Sequence, residues 1–344
     1  MSPRTEKEPT IVRDGDFTFE VRDDWLKPPE GWDLKQIVGI AIDSRDRVFL
    51  FSRSDHPLTV FDRDGRFLDS WGDGEFTRPH GIFIAPDDSV FCTDDFGHCV
   101  KKFTPSGELL MTLGTPGSPS DTGVENCDYR TMKRPAGPFN LPTNVALSPE
   151  GDIFVSDGYG NACIHRFSSD GVFIESWGAP GSKPGEFQIP HAVRYGSDGH
   201  LYVSDRENLR IQRFTPEGHF VDEWSDLARP CEVVMDGDGH FYVVELGFHI
   251  GGVRKIHPDK VDETGGRLSV LDVSGRVLAR FGGGERPELP GDFFGPHDIA
   301  MDSHGDLYIG EIRPGAAAFG DVLTDEVRKN LGAPILQKFI RVRS

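Results

Sequence analysis

Residues 141–178 read LPTNVALSPEGDIFVSDGYGNACIHRFSSDGVFIESWG, four short apolar runs separated by turn signals such as Glu-Gly and Asp-Gly. Each run is rich in β-branched and aromatic residues and is too short for a helix, so it reads as a strand. Turns this tight allow only antiparallel neighbours, and the stretch is a four-stranded meander.

The same pattern recurs along the chain. Close copies are RPHGIFIAPDDSVFCTDDFGHCVKKFTPSGELLMTLG from residue 78 and IPHAVRYGSDGHLYVSDRENLRIQRFTPEGHFVDEW from residue 189. Looser copies begin at QIVGIAIDSRDRVFLF (36), RPCEVVMDGDGHFYVVELG (229) and GPHDIAMDSHGDLYIGE (295). Six four-stranded units with a period of about 40 residues predict a six-bladed β-propeller, an all-β fold, as a single domain over 1–344. Two steps between copies are longer; they predict loop insertions at 115–138 and 313–335, and residues 1–16 are expected to be a flexible N-terminus. The last copy ends on ILQKFIRVRS and lacks an outer strand, whereas FTFEVRDDW at 17–25 resembles the outer strands GVFIESW and GHFVDEW. The N-terminal strand is therefore expected to complete the last blade and close the ring.

First strands line a propeller's channel, so one repeat position gives a ring of side chains: Val38, His80, Thr143, His191, Cys231 and His297. One histidine after a proline at a strand start is ordinarily a satisfied polar residue. Three on alternate blades are related by an approximate threefold axis and can converge on one cation, as in a catalytic zinc site with an open position. His98, His165, His200, His219, His240 and His304 fall in turns or at outer positions and are expected to face solvent; His249 stays open.

A second ring ends the next strand: Ser52, Asp94, Asp157, Asp205, Glu245 and Glu311. A carboxylate repeated this often reads as architecture, accepting turn N–H groups in each blade. The position after it breaks the repeat, with Arg53 and Arg206 in blades one and four, and Tyr159 one residue later in blade three. Two arginines can clamp a carboxylate, and a tyrosine beside cations is a candidate base.

With 344 residues, 37% hydrophobic, the chain is long enough for a sizeable core, and a net charge of −19 argues against nucleic acid as a partner. No run of about 18 apolar residues appears and the N-terminus has no apolar leader pattern, so no membrane association and a cytoplasmic location are expected. Five cysteines without a CxxC pair argue against a disulfide scaffold.

These residues resemble the peptidyl-α-hydroxyglycine α-amidating lyases, six-bladed propellers related to NHL-repeat proteins. The resemblance runs over roughly 35–310 and is densest around the PH pairs, SDGY and SDREN. It implies zinc on His80, His191 and His297, and Tyr159 as catalytic base with Arg53 and Arg206 beside it. It also implies a structural calcium held by Asp298 and the backbone carbonyls of Ile40 and Ile82. Disulfides of the secreted members would join positions occupied here by Phe139 with Gly160 and Tyr202 with Arg213, so those bridges are absent. The expected reaction is zinc-dependent C–N cleavage of an N-acyl carbinolamine, a small or short peptide-like α-hydroxy amide, to an amide and an aldehyde such as glyoxylate. A metal-dependent hydrolase of a lactone, ester or amide and a non-enzymatic NHL scaffold are the alternatives.

Overall fold

A computed structural model describes residues 9–250, 256–260, 263–313 and 333–343. Six antiparallel sheets form the blades, five with four strands and one with five. Their innermost strands, Ile37–Ile42, Pro79–Ile84, Pro142–Leu147, Pro190–Tyr195, Pro230–Met235 and Pro296–Met301, stand around the axis. Proline opens five of them, which costs no ladder bond at the first residue of a strand.

Just after that first residue, every innermost strand breaks register with its neighbour. In five blades the residue left without a partner is the ring residue, Val38, Thr143, His191, Cys231 or His297; in blade two both His80 and Gly81 are left out. A bulge re-aims its extra side chain, and here it frees the ring position from the pleat.

Blades pack face to face through apolar side chains. Between blades two and three, Phe91, Val100, Val145, Ile153, Val155 and Phe167 form one such seam, each at most 3% exposed. Each fully buried residue of this size contributes about 1.5–3 kcal/mol. Turns between strands use glycine where the chain needs positive φ, as at Gly171 (φ 83°).

The repeated carboxylates behave as architecture. Asp94 accepts the backbone N–H of Thr77 and Arg78, each at 2.8 Å. Asp205 does the same for Gln188 (2.7 Å), and Glu311 for Phe294 (2.8 Å) and Gly295 (3.2 Å). Each carboxylate ties the loop entering its blade to the second strand.

Closure is as read from the sequence. The strand Phe17–Arg22 pairs with Leu336–Arg341 as the outer strand of blade six, with Phe19 opposite Arg341. Part of the stretch expected to be flexible is instead a fifth strand: Thr10–Asp14 pairs with Phe17–Arg22 through a tight turn at Gly15. Residues 1–8 lie outside the described residues, as does most of the 313–335 insertion. The 115–138 insertion is described, and it packs Tyr129 and Met132 onto the core beside Tyr159.

Candidate metal centre and its arginines

The three ring histidines meet on the axis. Their ring centroids are 4.9, 4.9 and 4.7 Å apart, and all three are at most 3% exposed. Each Nδ1 contacts the carbonyl of the ring residue of the following blade: His80 to Thr143 (2.7 Å), His191 to Cys231 (3.0 Å), His297 to Val38 (3.0 Å). A carbonyl only accepts, so Nδ1 carries the proton and Nε2 is left with its lone pair. Burial, followed by the neighbouring histidines and arginines, pushes all three well below the usual imidazole range and keeps them neutral. Three neutral imidazoles with fixed tautomers and donor atoms within 4.8 Å of one another fit a zinc-type cation.

Tyr159 lies against this group. Its hydroxyl is 3.0 Å from Nε2 of both His80 and His191, and Arg206 Nη1 donates to it at 3.2 Å. The Arg206 guanidinium also stacks over the tyrosine ring at 5.3 Å. Arg53 is nearby on blade one, its Nε donating to the carbonyl of Pro79 at 3.0 Å. Burial and then the charge of Arg78 lower its guanidinium to about 10. The structure thus gathers His80, His191, His297, Tyr159, Arg53 and Arg206 at one end of the channel.

Several residues here lie outside the two rings read from the sequence. Glu207 accepts from Arg206 Nε (2.8 Å), from Arg229 Nε and Nη2 (3.0 and 2.9 Å), and pairs with His257 Nε2 (3.0 Å). Burial opposes its charge, but Arg229 and Arg206 hold its carboxyl well below the ordinary range. Arg229, itself fully buried, also donates to the carbonyls of Gly247 and Ile250. Arg78 and Arg229 both stand two residues before the ring position, in RPH and RPC, which is the sequence signal for them.

One layer along the axis lie Asp298, Glu232 and Asn144. Asp298 accepts the N–H of Ile299 (2.6 Å) and of Ile40 (3.3 Å), and Asn144 donates to Glu232. Arg194 donates to Glu232 at 3.0 Å. Burial and then Glu232 push the Asp298 carboxyl up, the signature of two carboxylates short of positive charge. Oxygen donors of this kind suit calcium, and Arg194 supplies part of the same charge.

His165 corrects the expectation of solvent exposure. It is fully buried on the third strand of blade three, with Nε2 3.1 Å from Asp157 and Nδ1 2.7 Å from Ser176. The equivalent place holds Gln212 in blade four, where it donates to Asp205. His165 is thus the blade's latch onto its architectural carboxylate. All five cysteines are free, and Tyr202 and Arg213 sit directly opposite one another across a strand pair. No helix among the described residues is long and apolar enough to cross a membrane.

Comparison with known proteins fits this geometry. The NHL repeat family model matches residues 139–167 and 187–214. The chain is 29% identical to peptidyl-glycine alpha-amidating monooxygenase B of Xenopus laevis over 92% of its own length and 37% of the relative's. Peptidyl-alpha-hydroxyglycine alpha-amidating lyase 1 of Drosophila melanogaster is 30% identical, over 73% of this chain and 46% of that protein. NHL repeat-containing protein 3 of Homo sapiens is 34% identical over 64% of each. The chain spans less than half the length of the two amidating relatives. Among solved structures, a gluconolactonase from Xanthomonas campestris shares the fold at TM-score 0.59 and 12% identity, over 98% of this chain and 95% of that one.

Proposed function

The chain belongs to the NHL-repeat propellers related to the peptidyl-α-hydroxyglycine α-amidating lyases, and from that premise we propose that it is a zinc-dependent carbon–nitrogen lyase acting on an N-acyl α-hydroxyglycine. The reading rests on one observation above all: the Tyr159 hydroxyl is 3.0 Å from two of the three ring imidazoles and 3.2 Å from a guanidinium nitrogen.

His80, His191 and His297 would hold the zinc, which when bound supplies Lewis acidity toward the substrate hydroxyl. Asp298, with the carbonyls of Ile40 and Ile82, is the proposed seat of a structural calcium. Arg206 and Arg53 orient the substrate carboxylate at the mouth. Tyr159 takes the hydroxyl proton as general base. The electron pair of that O–H bond forms the new C=O bond while the C–N bond breaks, and its electrons go to the amide nitrogen. Tyr159 then returns the proton to this nitrogen, so R-CO-NH-CH(OH)-COO− becomes R-CO-NH2 and OHC-COO−. Near-complete burial of Tyr159 and the imidazoles keeps bulk water from the transferred proton.

The test is glyoxylate release from N-acyl α-hydroxyglycines by the metal-loaded chain, with Tyr159→Phe as control. Turnover by the wild type and a loss of about 10²–10⁴-fold in the variant is expected for a lost general base. Equal rates, or cleavage of an ester or lactone with no glyoxylate from the hydroxyglycine, would overturn it.

A further inference from the structure

Between its second strand, Phe241–Glu245, and its third, Arg267–Leu271, blade five makes a long excursion, where blade four needs only residues 206–209. The excursion is tied back onto the molecule. Phe248 is buried, its N–H donates to the carbonyl of Thr264 at 2.9 Å, and Lys260 lies over its ring at 5.3 Å. Ile256 packs on the apolar cluster that contains Tyr159. His257 meets the Phe248 ring edge-on at 5.8 Å, and the N–H of Lys260 donates to its carbonyl at 3.0 Å. So held, the His257 imidazole faces Glu207.

Arg229 spans the Glu207 carboxylate, with Nη2 on Oε1 at 2.9 Å and Nε on Oε2 at 3.0 Å. Each oxygen then takes one further donor: Oε1 accepts from Arg206 Nε at 2.8 Å, and Oε2 from His257 Nε2 at 3.0 Å. A carboxylate only accepts, so Nε2 of His257 carries the proton. Glu207 thus joins the blade-five excursion to the Arg206 guanidinium, whose Nη1 donates to the Tyr159 hydroxyl at 3.2 Å. Removing the His257 donor leaves Oε2 short of a partner in a buried place, and the carboxylate turns to recover one. Arg206 turns with it. With 15% of its side chain exposed over a Glu207 that has none, His257 also stands between this contact and water.

We propose that His257 is a positioning residue for the reaction: through Glu207 it fixes the Arg206 guanidinium against the Tyr159 hydroxyl, without touching the substrate itself. The reaction it serves is that of the lyase reading, while the positioning rests on the contacts alone. Blade five, which gives the metal ring no histidine, enters the site by this route.

The experiment uses the full metal-loaded chain as wild type, His257→Gln, His257→Asn and His257→Leu. Glutamine can place an N–H where Nε2 stands; asparagine falls short of it and leucine has none. For an N-acyl α-hydroxyglycine, kcat/KM is expected to fall about 10-fold in H257N and H257L, the low end of what one charge-assisted hydrogen bond supplies, and to stay within about 3-fold in H257Q. Zinc content should not change. Full rates in all three variants, or a glutamine variant as slow as the other two, overturn the proposal. A second measurement needs no turnover: the Nε–H resonance of Arg206, assigned by its loss in Arg206→Lys, should be sharp and slow to exchange in wild type and H257Q, and broad or fast to exchange in H257N and H257L. That pattern without cleavage of the hydroxyglycine upholds the positioning and rejects the lyase. Cleavage with both rate and resonance indifferent to His257 rejects the positioning alone.

Discussion

Replacing Glu207 by glutamine keeps the shape of the side chain and removes one charge from the most heavily used acceptor at the site. In the native chain its two oxygens meet Arg206, both Arg229 nitrogens and His257 within 3.0 Å. After the change, a buried Arg229 and a buried Arg206 lose their counter-ion, and one acceptor becomes a donor facing a guanidinium. Removing one partner of a buried pair costs about 3–5 kcal/mol. At about 2.1 cal/mol/K per residue, 344 residues give roughly 0.7 kcal/mol/K of unfolding entropy, so Tm should fall by about 4–7 °C. Arg206 would also lose the contact that aims it at Tyr159. A charge-assisted hydrogen bond of about 1.5–3 kcal/mol bounds the loss in glyoxylate-release rate at roughly 10–150-fold. Differential scanning calorimetry, steady-state kinetics and metal content form the assay. Metal content should stay unchanged, because the histidine ring takes its support from other blades. A Tm within about 1 °C of wild type with full activity would refute the reasoning, and so would metal loss in parallel with rate loss.

Three further outcomes follow from the centre itself. His191→Ala should bring zinc content from near one per chain to near zero and abolish turnover, as elemental analysis and the glyoxylate assay would show. Gly81→Ala would place a methyl 2.5 Å from the Thr143 carbonyl that fixes the His80 tautomer, so zinc affinity measured by chelator competition should drop about 10–100-fold; unchanged affinity would show that this carbonyl is dispensable. The metal-free chain should lose stability in acid. Its imidazoles are depressed in the folded state, so their contribution is present above the unfolded value near 6.5 and is lost as pH falls. Asp95 and Asp205, raised to about 6 by burial, act in the opposite sense between about pH 4 and 6. The difference between wild type and His297→Gln isolates one imidazole and should amount to about 1.4 kcal/mol per pH unit between about pH 5 and 6, by denaturant titration.

What the repeat repeats could be read from the sequence. His80, His191 and His297 share a register position, and a period of this length fixes where that position points. Arg53, Arg206 and Tyr159 showed themselves by breaking the pattern at a strand end. Glu207 did not, because no repeat position marks it and its contacts with Arg229 and His257 form only where two blades meet. His165 was misplaced because an outer position in sequence is an inner one when the strand's parity turns its side chain toward Asp157. The Thr10–Asp14 strand escaped notice because it is only five residues long, too short to show a period, with Ile11, Arg13 and Asp14 exposed, and it is held by pairing with its neighbour.

Pairing Phe17–Arg22 with Leu336–Arg341 also sets a clock on biosynthesis. The partner of Phe19 is made roughly 320 residues later, about 15–60 s at ribosomal rates of about 5–20 residues per second. Until then Phe17, Phe19 and Val21, all buried in the finished ring, have no blade to enter. An early strand kept waiting this long is a target for chaperones and for strand exchange with a neighbouring nascent chain.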